Sequence, residues 1–265
     1  MKRIDVKIAL LLSAICFVGG LFIVPYQLES FQSLLNSGDY AKTLEEMPFS
    51  TSVLMIISSF QVGIISFIIA FAGLKIARRT GVSFSYFQSI FEKGKKATLK
   101  SKSVWLALSF GAITGFVNMG ADKYYFRQLI PELGELTPET SIIGMLAGVF
   151  YGGVFEEVLM RLLVMSLLVW LFHKNFTRKK EMIPGWNYWL SIIIATSLFA
   201  AGHLPATTMF FGELTGIIIF RCFLLNGIGG FFFGYLYWKK GLEYSIIAHM
   251  FTHVSMQLLF TPLFY

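Results

Sequence analysis

Charge is what this chain has least of. Of its 265 residues only 14% are Asp, Glu, Lys or Arg, against 55% that are hydrophobic. Charged residues make up about a quarter of an ordinary globular chain, so a soluble domain of this composition is excluded. Cysteine is nearly missing as well. Cys16 and Cys222 each stand alone inside an apolar run, without the spacing of a metal site or a disulfide framework. No polar linker is long enough to separate two domains, and there is no internal repeat or low-complexity tail. Histidine occurs only four times, which makes its placement informative.

What is abundant is apolar sequence, with 28 Phe among it. Seven spans are predicted, at 8–25, 51–74, 103–121, 141–172, 188–204, 214–238 and 243–260. Each is long enough to cross a hydrocarbon core of about 30 Å. The expected fold is all-α, a polytopic transmembrane helical bundle of seven to eight helices. An eighth segment arises if Pro205, Gly212, Gly216 and Gly227-x-Gly229-Gly230 divide 205–238 into shorter helices or a re-entrant piece. Residues 1–140 then form amino-terminal spans with a basic loop, and 141–265 form the part richest in chemistry. The start, Met1-Lys2-Arg3 followed by the apolar run 8–24, looks like a signal peptide. No small-x-small cleavage site stands near Val24-Pro25, so a retained first span is expected.

The loops alternate in charge. Lys2, Arg3 and Lys7 precede the first span. Loop 75–102 carries Lys75, Arg78, Arg79, Lys93, Lys95, Lys96, Lys100 and Lys102. Lys174, Arg178, Lys179 and Lys180 follow the fourth span, and Lys239 and Lys240 the sixth. Loop 26–50 is instead acidic, with Glu29, Asp39, Glu45 and Glu46. Positive loops stay in the cytoplasm, which places the amino terminus there in a plasma-membrane protein. The net charge of +7 then reflects orientation and contact with anionic membrane lipids, not nucleic acid. Phe84, Phe87, Ile90 and Phe91 allow an amphipathic helix on the inner leaflet, a bare linker being the alternative.

Against this background Glu156-Glu157-x-x-x-Arg161 stands out, because three ionisable groups interrupt one apolar run. Insertion scales charge about 2.5–3.5 kcal/mol for an Asp, Lys or Arg at mid-span. Glu157 and Arg161 are i, i+4 and so share a face, which predicts an ion pair. Glu156 points about 100° away and is left without that partner, as a base working in a low-dielectric pocket would be. Three of the histidines are also inside or at the edge of apolar helices. His203 ends Phe199-Ala-Ala-Gly-His203, and His249 and His253 are i, i+4 in His249-Met-Phe-Thr-His253. Those two rings can address one spot, as metal ligands, as oxyanion donors or as a clamp on a carbonyl. A zinc protease of the His-Glu-x-x-His type is disfavoured, because Met250 occupies the position of its glutamate. Arg221, within the sixth span, needs a partner such as Glu213 or a lipid phosphate. Asn118, Asn226 and Gln257 read as interhelical hydrogen bonders.

These three motifs, in this order on separate apolar helices, resemble the CAAX protease and bacteriocin-processing family, which includes the type II CAAX prenyl endopeptidases. The resemblance covers about 150–260. It implies an intramembrane endopeptidase acting on membrane-associated, prenylated or bacteriocin-like peptides in a bacterial membrane. Glu156, with His203, would activate water, and His249 and His253 would stabilise the oxyanion. Glu157 and Arg161 would be a supporting pair. That mechanism requires no cofactor, although zinc with His203, His249 and His253 as candidate ligands stays open. His253 departs from the family pattern, where asparagine stands. Two other readings remain: a non-catalytic immunity or regulatory protein of the same family, and a proton-coupled transporter, although no broken helices recur in both halves. The seven-span cut also leaves His203 and His249 offset by about 9–15 Å along their helices, a gap that a compact site must close.

Overall fold

The computed structural model describes residues 3–35, 37–135, 137–178 and 180–265, with helices and connecting turns and no strand among them. Lys2 and Lys179 of the basic segments lie outside the described residues. Helix α1 (Arg3–Leu34) is followed by short α2 (Ser37–Glu45), then α3 (Thr51–Ala77), short α4 (Ser85–Phe91) and α5 (Ser101–Ala121), which runs on to Leu129. One unbroken helical run, α6, covers 142–177 and alternates between α and π winding. Helices α7 (Gly185–Gly202) and α8 (Leu204–Phe211) meet at His203. Helices α9 (Gly216–Lys239) and α10 (Leu242–Ser255, continuing to Phe264) complete the bundle. Among the described residues six helices are long and apolar enough to cross a membrane, and α6 adds a further long run. The chain is an integral membrane protein of the expected class.

Several boundaries move. The first span does not stop at Pro25, which lies inside α1. A proline removes one backbone bond, and neighbouring helices can compensate for it in a bundle. The division of 205–238 falls at Gly212, whose φ of 70° turns the chain between α8 and α9. The cluster Gly227, Gly229 and Gly230 breaks nothing. It lies inside α9, where Gly229 and Gly230 let Thr114 and Thr196 approach.

Lipid tails are as apolar as leucine, so helices in a membrane associate through close packing rather than through hydrophobic exclusion. The contacts here follow that rule. A side chain on Gly20 would come 2.5 Å from the Ser59 Cα, where α1 crosses α3. One on Gly73 would come 2.9 Å from the Leu162 backbone, where α3 crosses α6. Cys16 and Cys222 are both buried, so they face the core and not lipid.

Helix α4 forms around the expected aromatic residues but does not lie free on the leaflet. Phe84 and Phe87 are buried in the main core, and only Ile90 of that side is exposed. Glu243, at the start of α10, accepts hydrogen bonds from the Tyr86 backbone N–H (3.1 Å) and the Ser85 hydroxyl (3.3 Å). The segment that leads into the basic stretch 93–102 is thereby fastened to the helix that carries His249. The amino-terminal end of α6 is fastened to the far end of α10. Ser141 caps it by accepting from the Gly144 N–H at 2.7 Å, and donates its own N–H to Gln257 Oε1 of the α10 run at 2.8 Å.

Arg221 pairs with Asp122 rather than with Glu213. Its Nε and Nη2 donate to the two oxygens of Asp122 at 2.7 and 2.5 Å, joining α9 to the extension of α5. The charge that α9 carries is satisfied by a bidentate partner within the protein. Gln257 bridges helices as expected, whereas Asn226 donates to Cys222 within its own helix.

Candidate active site

The site lies where α6, α7, α9 and α10 meet, and the local winding of α6 shapes it. Residues Gly148–Glu156 and Val158–Met165 are π-helical, so Glu156 and Glu157 sit at the join of two wide stretches. A wider turn holds more residues, and consecutive side chains diverge less than in an α-helix. Glu156 and Glu157 therefore both reach the same imidazole, that of His249.

Glu157 is the better anchored of the two and is completely buried. Its Oε1 accepts from His249 Nδ1 at 3.0 Å, and its Oε2 from the Ser245 hydroxyl. Ser245 in turn stands 2.9 Å from the Phe233 carbonyl oxygen. Because a carboxylate takes the Nδ1 proton, the neutral form of His249 carries its lone pair at Nε2. That nitrogen lies 3.7 Å from Glu156 Oε2, which is close apposition but longer than a direct hydrogen bond. The Phe233 ring stacks on His249 with centroids 4.5 Å apart and fixes the plane of the imidazole. Glu156 keeps 20% of its side chain exposed, against 0% for Glu157. Of the two carboxylates, Glu156 is the one a solute can reach.

The expected pair of Glu157 and Arg161 is present but is only part of what Glu157 does. Arg161 Nε lies 3.4 Å from Glu157 Oε2, at ion-pair distance without hydrogen-bond geometry. The three guanidinium nitrogens are buried with no hydrogen-bond partner among the described residues. The guanidinium instead lies 5.7 Å from the Phe199 ring centroid, a cation–π contact in a desolvated setting. Arg161 thus contributes positive charge behind Glu157, and the directional bonds of Glu157 go to α10.

Phe199 connects the remaining motif. Its ring meets His203 edge-on at 4.6 Å and His249 edge-on at 6.0 Å. The Phe199 ring contacts both imidazoles across the offset read from the spans, and α7 ends at His203, where the chain turns into α8. His203 Nδ1 donates to the Phe199 carbonyl oxygen at 2.8 Å, which leaves Nε2 as the free acceptor of the neutral ring. His203 has no hydrogen bond to either glutamate among the described residues. His253 stacks on His249 at 5.3 Å and makes no side-chain hydrogen bond among the described residues.

The same residues do not fit a zinc site as they stand. Imidazole lone pairs lie in the ring plane, and the rings of His249 and His253 are stacked with only 18° between planes. Their nitrogens cannot converge on one point without one ring turning. His249 already commits Nδ1 to Glu157. Among the described residues no group of three or more His, Cys, Asp or Glu side chains is arranged to hold a metal ion.

Two sets of contributors were not singled out in the sequence. Ser245 and Phe233 orient Glu157 and His249, and a serine or phenylalanine in an apolar helix carries no signal of that role. The glycines of α6 do carry one. Gly148 and Gly152 are i, i+4, a small-residue spacing that allows a helix to come close. A side chain on Gly152 would meet His253 Nε2 at 2.7 Å, and one on Gly153 would meet Met250 at 2.5 Å. On the opposite side of α10, Gly111 of α5 would meet the Ala248 carbonyl at 2.5 Å, and its own carbonyl accepts from Thr252 at 3.3 Å. The histidine-bearing helix is held between two glycine-lined faces.

The architecture and site define a polytopic membrane protein with paired glutamates facing histidines inside the bundle. Residues 138–255 match the family described as "Type II CAAX prenyl endopeptidase Rce1-like". The matched segment contains Glu156, Glu157, Arg161, His203, His249 and His253, while α1 to α5 precede it. No curated protein and no solved structure matches the chain.

Proposed function

We propose that the protein is an intramembrane endopeptidase that hydrolyses peptide bonds of membrane-associated or lipidated peptides. The observation that carries this reading is the asymmetry of the two glutamates. Glu157 is buried and spent on holding His249, while Glu156 is reachable and faces the free nitrogen of that ring.

In this reading Glu156 takes a proton from water as its oxygen attacks the carbonyl carbon of the substrate. His203 Nε2, free to accept, holds the other hydrogen of that water. The carbonyl π electrons move to oxygen, and the resulting oxyanion receives a hydrogen bond from His253, which has no competing partner. His249 lines the same space, fixed in plane and tautomer by Glu157, Ser245 and Phe233. It donates to the oxyanion from Nε2 only when it carries a second proton. When the C–N bond breaks, Glu156 returns its proton to the departing amine. Water is consumed, and an acid and an amine are released.

The test is to reconstitute the purified protein in liposomes with prenylated and unmodified membrane peptides and to analyse products by mass spectrometry. The reading expects paired fragments whose masses sum to substrate plus water. Absence of such fragments for every lipidated and unlipidated peptide offered contradicts it.

A further inference from the structure

Among the described residues the ring of His253 has no hydrogen bond to hold it, yet it occupies a defined place. Of its neighbours, His249 is one turn earlier on the same helix and stacks at 5.3 Å. Two further neighbours are glycine backbone. A Cβ on Gly148 would collide with His253 Nδ1, Cγ and Cβ, and one on Gly152 would meet Nε2 at 2.7 Å, Cδ2 at 3.4 Å and Cε1 at 3.6 Å. The imidazole therefore lies lengthwise along α6, with one nitrogen over each of two glycines spaced i, i+4. Contacts under 3.0 Å at both ends leave no room for even a methyl group unless the ring moves.

We infer that Gly148 and Gly152 are positioning residues, and that their bare backbone seats His253 in register with His249. The seat does by exclusion what a hydrogen-bonding partner does for His249 and His203. It constrains the ring by contact alone, without a hydrogen bond. Gly148 and Gly152 lie in the same π stretch that ends at Glu156, so the carboxylate and the seat are parts of one rigid segment. Displacing the ring would change its distance to a carbonyl held against Glu156. A displacement on the order of 1 Å in such a constellation costs up to about 100-fold in rate.

The inference rests on the endopeptidase reading for its kinetic consequence but not for its geometry, and a double-mutant cycle separates the two. Gly152→Ala is expected to lower kcat by about 10- to 100-fold with KM changed by less than about twofold, because the seat touches His253 and not the substrate. In a His253→Asn background, whose shorter side chain does not reach Gly152, the same glycine change is expected to lower kcat by less than about threefold. The unfolding midpoint in detergent gives a second cycle that needs no activity. Gly152→Ala should lower it in the wild-type chain and leave it unchanged in His253→Ala. An equal midpoint penalty in both backgrounds overturns the seat. Loss of peptidase activity in every assay, with the midpoint coupling intact, overturns the endopeptidase reading and leaves the seat standing.

Discussion

Glu157 and His249, 92 positions apart in sequence, are joined by a 3.0 Å hydrogen bond from Nδ1 to Oε1 at a point where both side chains are shielded from solvent. That bond ties α6 to α10 and decides which nitrogen of the imidazole faces Glu156. Replacing Glu157 by Gln keeps the shape but removes the charge that Arg161 faces. Removing one partner of a buried pair costs about 3–5 kcal/mol, because the other is left uncompensated. We expect Glu157→Gln to lower both the unfolding midpoint and turnover. The double variant Glu157→Gln/Arg161→Met should recover part of the midpoint, since no unpaired charge remains. Unfolding midpoints of the two single variants, the double variant and the wild type check this.

The Arg221–Asp122 pair should behave differently. It is bidentate and partly exposed, and it lies outside the glutamate–histidine cluster. Asp122→Asn is expected to lower stability by about 1.5–3 kcal/mol and to leave kcat within about twofold of wild type. A charge-swapped variant, Asp122→Arg with Arg221→Asp, should recover part of the stability. A large fall in kcat with stability retained would mean that the pair belongs to the site.

Much of this arrangement was legible before any coordinates. Apolar run length and loop charge gave the bundle, because insertion into lipid is governed by those same quantities. The cost of burying Glu156, Glu157 and Arg161 singled out the cluster, and the i, i+4 spacing of His249 and His253 put both on one face. The π winding was not legible. An expected divergence of about 100° between Glu156 and Glu157 separated two side chains that share one histidine. The partner of Arg221 was missed because Asp122 lies about 100 residues away on a helix extension that spacing alone did not reveal. Local periodicity reports which residues share a face, and it does not report which faces meet.

Docking of α4 makes a prediction about the basic segment. Glu243 is buried, and one oxygen accepts from Ser85 and Tyr86. Glu243→Ala removes both hydrogen bonds and should release the helix. Trypsin is expected to cut within 93–102 faster in this variant, at sites offered by Lys93, Lys95, Lys96, Lys100 and Lys102. Limited digestion of protein in sealed vesicles, followed by fragment sizing, reads the difference. Equal rates would mean that the aromatic contacts of Phe84 and Phe87 hold α4 without the carboxylate.

Orientation is testable in intact cells. The positive segments are expected on the cytoplasmic side and the acidic segment 26–50 on the other. With Cys16 and Cys222 buried, single cysteines can be introduced at the exposed positions Lys95 and Glu46. An impermeant thiol reagent added to intact cells should label Glu46→Cys and spare Lys95→Cys. The reverse pattern would invert the assignment.

The central claim is the division of labour between adjacent carboxylates, with Glu156 as the base and Glu157 as the holder of His249. The most direct measurement is turnover of a cleaved membrane peptide by Glu156→Gln, alongside its unfolding midpoint. A general base supplies about 10²–10⁴-fold, so we expect kcat to fall by at least about 100-fold while the midpoint stays within a few degrees of wild type. Wild-type turnover by folded Glu156→Gln would contradict the account.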